Sequence, residues 1–422
     1  MANTYLSRTI SSTSTPKKMT CSFWIKRAGS GNSIQRIFSQ SNNGAFDMYW
    51  RWETGDIFTA WNELNSGGTL NSITPNMKFR DFGAWYHIVL RWDTTQSTST
   101  DRIRMYVNGT NINDLGGYSS YTAPSLNDDI GIFSSTSNKF DIGYYRAANN
   151  EHLDSILSHV HVCDGYSYGP ESFGSTDGTT GEWKINPSPN VSYGTNGFFL
   201  FKDNASVSDQ SGNGNNFTLG GGTLTKTEDN PSNIFCALNP LQEPDPAQAA
   251  EYTFGNTKFV GNWNHWQRAY GTIGANTGKF YYEFKCLNDD GTAGHLRVGW
   301  DSVDLINDGQ DSYYSGLTLD KEGKLRGGIV GYNNYDPNSV QMTAAHSGGN
   351  FSFTANDILG MAIDIDNNTF SVYKNGNLEI NAYSYASNSN CSLLKSKGHF
   401  IAPSVNWYSA SGNGSRSCFN FG

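Results

Sequence analysis

The feature that most limits the fold is a rhythm of short alternating runs. Between Met19 and Val162 the chain reads CSFWIKR, IQRIFSQ, FDMYWRWE, WYHIVLRWD, RIRMYVNG, KFDIGYY and ILSHVHV, with Gly, Asn, Ser and Thr between the runs. Side chains on a strand change face with a period of two, a helix needs 3.6, and no long segment keeps the helical period. The same grammar resumes after Tyr252 in GKFYYEFKCL, HLRVGWDS, KLRGGIVGY, DILGMAIDID, TFSVYKNG, HFIAPSVNW and RSCFNFG. Strand-sized pieces separated by turn residues predict an all-β chain of antiparallel β-sandwiches. The 46 Gly, 23 Tyr and 24 Phe fit many turns and aromatic strands better than helices.

A chain of 422 residues is too long for one small core, and two domains are expected. Phe198-Phe-Leu-Phe201 supplies a last buried strand to the first half, followed by Gly/Asn turn material. The stretch TKTEDNPSNIFCALNPLQEPDPAQ then carries Pro231, Pro240, Pro244 and Pro246, each fixing φ and removing a donor, as in an extended connector. The expected organisation is a sandwich over 1–222, a Pro-containing linker over 223–250 and a second sandwich over 251–422. Both halves contain an alternating strand running into Asn-Gly, at Gly109 and at Gly376, the pair best suited to a type I′ hairpin.

Several function classes lose support. A net charge of -9, with no basic run longer than Lys17-Lys18, argues against binding a phosphate backbone, so no nucleic acid is expected. The amino-terminal MANTYLSRTISSTSTPKKM has no apolar run of even about seven residues, so neither a secretory signal nor membrane insertion is expected, and folding in a cytosol is. The six cysteines are scattered without a CxxC pair and read as free, mostly buried thiols. Glycosidases need two flanking carboxylates, and no E-x-D-x-E triplet occurs; nor does a G-x-S-x-G elbow, a P-loop or an H-E-x-x-H. The glycines of Gly29–Gly31 and of Gly212–Asn215 read as loop residues, because no strand-to-helix unit follows them. No enzyme is expected.

Two stretches raise a metal. In DIDNNTFSVYKNG, Asp364, Asp366 and Asn368 match the first ligand positions of a calcium loop, but Thr369 stands where the Gly belongs and Asn375 where the Glu belongs. Strand, Asn-Asn turn, strand and Asn-Gly turn is the better reading, with calcium kept open at a sandwich rim. In His159-Val-His161-Val-Cys163, alternation aims two imidazoles and a thiol at one face, a conceivable zinc set without an evident fourth ligand. The alternative is that Val160 and Val162 face the core and the other three lie opposite. Resident cofactors are therefore expected to be none.

Aromatic residues exceed what the cores need. Trp50 and Trp52 share one face of YWRWE and Trp61 follows, while the second half places Tyr332, Tyr335, Trp407 and Tyr408 among Gly and Asn. Flat rings beside amides and carboxylates suit sugar faces and protein hot spots equally.

The second half resembles a SPRY domain through GKFYYEF, RVGWDS, NDILGMAIDIDNNTFSVYKNG, FIAPSV and the closing FNFG. That resemblance implies partner binding by loops at one end of the sandwich, with Trp407 and the loop from Tyr332 to Asp336 as candidates. The first half resembles laminin-G-like and concanavalin-like lectin modules through CSFWIKR, WYHIVLRWD, RIRMYVNG and FDIGYY, which implies two jelly-roll, concanavalin-like sandwiches. It is also similar to bacteriophage tail or virion proteins through YLSRT, WYHIVLRWDTTQ, SYGTNGFFLFKDN and DQSGNGNNFT. This implies a virion component made in a bacterial cytoplasm and carried on the particle, a tail fibre or receptor-binding appendage. Its partners would be other virion proteins and host surface carbohydrate or protein, and it would form a homotrimer or ring. A capsid decoration protein and, further off, a polysaccharide depolymerase are the alternatives.

Overall fold

The computed structural model describes residues 4–29, 33–41, 47–62, 71–203, 205–242, 250–261, 267–288, 295–303, 316–326, 340–345, 348–387, 399–407 and 416–421. Its contacts divide into two compact units, Met1–Ile234 and Phe235–Gly422, each with its own core. The described residues hold strands and short 3-10 turns and no α-helix, hence no helix long and apolar enough to cross a membrane. The protein is all-β, and each unit is built of antiparallel sheets packed as a sandwich.

The first unit contains β1 (Tyr5–Thr9), β2 (Lys18–Arg27), β3 (Gln35–Ser41), β4 (Asp47–Glu53), β5 (Ile57–Asn62), β6 (Asn71–Pro75), β7 (Trp85–Asp93), β8 (Ile103–Val107), β9 (Thr110–Asn111), β10 (Tyr118–Thr122), β11 (Lys139–Ile142), β12 (Ser155–Asp164), β13 (Gly174–Thr176), β14 (Trp183–Ile185), β15 (Phe198–Leu200) and β16 (Thr218–Gly221). One sheet runs β10-β6-β5-β4-β3-β11-β1-β16, the other β15-β12-β2-β7-β8-β9. Between them, Phe23, Phe38, Trp50, Trp52, Trp92, Phe140 and Phe198 form a buried aromatic core. Trp50 stacks on Trp92 at 5.5 Å.

The central strands β2, β7 and β12 are buried on both faces, which explains their almost continuous apolar reading. Cys21, Phe23 and Ile25 of β2 face the main core. On the reverse side the segment bearing the β13–β14 hairpin covers the six-stranded sheet, so Val89, Tyr106, Cys163 and Phe173 form a second small cluster. His87 is fully buried there, its ring 4.8 Å from Trp24 and 5.9 Å from Trp183. The Trp183 indole N–H donates to His87 Nδ1 at 2.9 Å, and His87 Nε2 meets the Ser22 hydroxyl at 2.8 Å.

The second unit contains β17 (Glu251–Thr253), β18 (Lys258–Val260), β19 (Gln267–Tyr270), β20 (Lys279–Asn288), β21 (Leu296–Ser302), β22 (Leu317–Asp320), β23 (Lys324–Arg326), β24 (Val340–Gln341), β25 (Ile358–Asp364), β26 (Thr369–Lys374), β27 (Asn377–Ser384), β28 (Ile401–Trp407) and β29 (Arg416–Asn420). Sheets of order β17-β18-β29-β20-β25-β26-β27 and β19-β28-β21-β22-β23-β24 close on Tyr282, Phe284, Trp300, Phe351, Phe370 and Trp407. Both Asn-Gly pairs have the two left-handed residues a type I′ turn needs: Asn108 and Gly109 at φ 48 and 79, Asn375 and Gly376 at 51 and 84.

The unit division falls inside the stretch expected as an extended linker, and parts of that stretch are bonded to the units. Asp229 is buried in the first unit, and Ala237 and Leu238 hydrogen-bond along Thr272 and Asn256 in the second. None of the five described cysteines forms a disulfide.

Candidate functional site

The first unit carries an open cleft of about 260 Å³ where β1, β11, β16 and the loop before β16 meet. Ser7, Thr9, Ser11, Thr218, Gly214, Asn215, Asn216, Arg8 and Lys139 line it, and no lining residue is a carboxylate or an aliphatic. Its wall is the segment DQSGNGNNFT. Asp209 accepts hydrogen bonds from the backbone N–H groups of Phe199, Ser211 and Asn215 at 2.8–2.9 Å, folding the loop around itself. Gly212 and Gly214 take φ of 92 and 74, which a side chain would resist.

Arg8 locks this wall to β1. Its guanidinium donates to the Asn196 carbonyl and the Asn215 amide oxygen, both at 2.7 Å, and to Asn196 Oδ1 at 3.4 Å. Burial pushes the Arg8 guanidinium down to about 10, with Asp209 and Asp164 pulling the other way. Asp164 points away from the cleft, its carboxylate taken by the Asn196 backbone and the Ser14 hydroxyl.

From Ser7 the site continues across the outer face of the eight-stranded sheet. Pairing places Ser7, Asp141, Ser39, Tyr49 and Trp61 in one cross-strand row. Arg146 forks onto Asp141 at 2.6 and 2.8 Å and reaches the Ser7 hydroxyl at 2.9 Å. Arg36 lies between the rings of Tyr49 and Tyr145, at 4.1 and 4.0 Å, and donates to Glu151 at 2.5 Å. Arg51 covers the same Tyr49 ring at 4.5 Å. Stacked cations and aromatic faces of this kind attract by about 0.5–2 kcal/mol each, so the face is a rigid polar lattice.

A family model described as the concanavalin A-like lectin/glucanases superfamily, Laminin_G_3, matches residues 2–164. That segment is similar to the lectin-like modules. No curated protein matches the chain. Among solved structures, the SPRY domain of human HERC1 is 14% identical, with 44% of this chain and 98% of that one covered and a TM-score of 0.26. Mouse laminin alpha1 chain domains LG4-5 are 10% identical over 99% and 85%, at TM-score 0.32. The native heptameric SAP-like pentraxin of Limulus polyphemus is 16% identical over 54% and 92%, at 0.29.

The expected ligand platform of Trp50 and Trp52 is corrected by the structure. Both are 0% exposed, because the large indoles of YWRWE take the inward parity and leave Tyr49 and Arg51 outside. Trp61 holds a register position opposite Tyr49, and its side chain lies outside the described residues. Trp407 is also 0% exposed, and its indole occupies the space a side chain at Gly261 would need. Tyr332, Tyr335, Asp336 and Tyr408 lie outside the described residues.

The metal candidates are engaged otherwise. Asp364 accepts from the Asn367 backbone and side chain at 3.1 and 2.8 Å and pairs with Lys279 at 3.0 Å, while Asp366 caps the Gly278 N–H at 3.0 Å. Val160 and Val162 face the core; His161 Nδ1 meets the Tyr193 hydroxyl at 2.9 Å and its ring stacks on Phe199 at 4.0 Å. His159 sits at a register shift with φ 47, its ring 6.4 Å from that of His161. Among the described residues no group of three His, Cys, Asp or Glu is placed to hold a metal.

The second unit presents an aromatic surface that the loop-centred expectation overlooked. Tyr281, 52% exposed, lies over the bare backbone of Gly360 with Tyr373 edge-on at 6.4 Å. Glu283 accepts from the Tyr281 hydroxyl at 3.3 Å and from the Asn420 amide at 3.1 Å. The signal was the parity of KFYYEF: Tyr282 is core, so Tyr281 faces out.

Proposed function

We propose that the protein is a non-enzymatic attachment component of a bacteriophage particle, a tail fibre or receptor-binding appendage that recognises glycan or protein on the host surface. The cleft carries this reading: hydroxyl, amide and cationic groups are what a hydroxyl-rich ligand needs, and a lining without carboxylates has no general acid or base for glycoside cleavage. The similarity of residues 2–164 to lectin-type modules supports it, and the virion placement rests on the phage-like wording of YLSRT, WYHIVLRWDTTQ and DQSGNGNNFT. Weak single sites on a homo-oligomer would gain avidity from multivalent contact.

The test is adsorption of the labelled full chain to host envelope fractions and a glycan array, with antibody localisation on intact particles. Retention on an envelope fraction together with tail labelling is the expected result. Labelling of heads without retention on any fraction would instead establish a capsid decoration protein. Release of reducing ends from host polysaccharide would establish a depolymerase.

A further inference from the structure

We infer that the outer face of the seven-stranded sheet in the second unit binds an uncharged sugar ring, stacked on Tyr281 with Glu283 at its rim. The inference rests on the glycan-binding form of the function proposed above and gives the second unit a sugar contact of its own.

Strand parity puts the groups on one face. Tyr282, Phe284, Leu359, Met361, Val372 and Phe419 point into the core, so Tyr281 and Glu283 of β20, Gly360 of β25, Tyr373 of β26 and Asn420 of β29 point out. Register aligns Asn420, Glu283, Gly360 and Tyr373 in one row across these four neighbouring strands. Gly360 stands mid-strand with no left-handed φ to require it, and a glycine there weakens a strand unless something must approach closely. What approaches is the Tyr281 ring: a Cβ at Gly360 would meet its Oη, Cε2 and Cζ at 2.4, 2.9 and 3.0 Å. The phenol therefore leans over the neighbouring strand while Tyr281 stays 52% exposed, and the Tyr373 ring stands at 76° to it.

The setting selects the occupant. Strands β20 and β25 are each paired on both sides, so they offer no free backbone edge and a peptide could not add there as a strand. The exposed ring pair has a polar border. Glu283 takes the Tyr281 hydroxyl at 3.3 Å through one oxygen and the Asn420 amide at 3.1 Å through the other. A carboxylate has about four lone-pair sites, so Glu283 can still accept from ligand hydroxyls lying beside the ring. A flat aromatic face with an acceptor at its edge fits a pyranose, which is apolar on its faces and hydroxylated round its rim. The charge nearest the ring is negative, since Lys279 is paired with Asp364 at 3.0 Å and Lys285 registers with Cys418 and Ile358 beyond Glu283. An acidic sugar is therefore disfavoured.

NMR of the full chain with labelled tyrosine rings tests this, by titration with methyl β-glucoside, methyl β-galactoside, methyl β-glucuronide and a proline-rich peptide. Tyr281→Phe and Tyr373→Phe assign the two signals. Both should shift with at least one neutral sugar, and the glucuronide should bind about fivefold more weakly than the glucoside, the effect of one like charge at about 4 Å in water. Tyr281→Ala, a change at an exposed ring, should weaken neutral-sugar binding read at Tyr373 by about tenfold. Gly360→Ala, which the strand backbone accepts but which displaces the ring, should do the same without lowering the melting temperature of the second unit. Glu283→Gln should remove the discrimination against the glucuronide. Silent Tyr281 and Tyr373 signals with every sugar, equal affinity for glucoside and glucuronide, or unchanged affinity in both Tyr281→Ala and Gly360→Ala would overturn the inference. Larger shifts with the peptide, or shifts with protein concentration that sugar does not reverse, would overturn it in favour of a protein-docking or self-association surface. Envelope or array retention that persists in Tyr281→Ala beside silent tyrosine signals would remove this inference and leave the proposed function standing; no binding to any sugar or envelope fraction would remove both.

Discussion

Asp229 shows how much one residue can carry. It lies in a Pro-containing stretch, yet its carboxylate bonds Lys26 at 2.6 Å and the Trp85 indole N–H at 2.9 Å with both ionic partners buried. Removing one member of a buried pair strands the other, so Asp229→Ala should destabilise the first unit by about 3–5 kcal/mol in urea unfolding, whereas Lys26→Met with Asp229→Leu should cost much less. A double variant as unstable as the single would show that packing, not charge, is at stake. Nothing in the residue types around Asp229 announces this, because the pairing spans 203 positions of sequence. Parity was the legible part. In YWRWE the two Trp do share a face, as the alternation implies, but alternation alone does not say which face is inside. Volume decides it, since two indoles fill the space between sheets and an Arg between them cannot.

At the scale of elements, the two Asn-Gly turns look alike in sequence and differ in surroundings. Nothing lies near the space a Cβ would take at Gly376, but at Gly109 that space is filled by the Trp183 ring. Gly376→Ala should therefore cost only the left-handed strain, about 1 kcal/mol. Gly109→Ala should cost distinctly more and loosen the β13–β14 hairpin, seen as faster amide exchange there; equal costs would mean that the hairpin does not rest on the turn. The DIDNNT segment is strand, turn and strand, as the break of the calcium pattern at Thr369 and Asn375 implies. Each Asp364 oxygen already accepts a hydrogen bond, so millimolar calcium or a chelator should leave the melting temperature of the second unit unchanged; a clear calcium-dependent rise would reopen the metal reading. What sequence could not show was the layer covering β2, β7 and β12, since a sheet buried on both faces loses its alternation.

For the whole molecule, two separate cores predict two unfolding transitions, and acid should distinguish them. Among the described residues, the histidines whose proton affinity is clearly depressed are His87, His152, His159 and His161, all in the first unit. Burial pushes His87 down to about 3 and His159 to about 4, with the neighbouring His159 adding to the effect on His87. The folded state keeps these rings neutral, while the unfolded chain takes up protons near the ordinary value of about 6.5. Stability that is full above that value is thus lost as pH falls through the window from about 6.5 towards 3. For His87 there is a structural consequence: its Nδ1 accepts from the Trp183 indole, and a proton placed there removes that bond and charges a ring held between two indoles. Calorimetric scans from pH 7 to 4 should show the first-unit transition moving to lower temperature, with Trp183 fluorescence changing in step. His87→Asn should flatten that slope although its stability at pH 7 is lower, a combination that a simple loss of packing would not produce. A pH-independent first-unit transition would mean that the buried imidazoles are hydrated and that the Trp24–His87–Trp183 stack opens in solution.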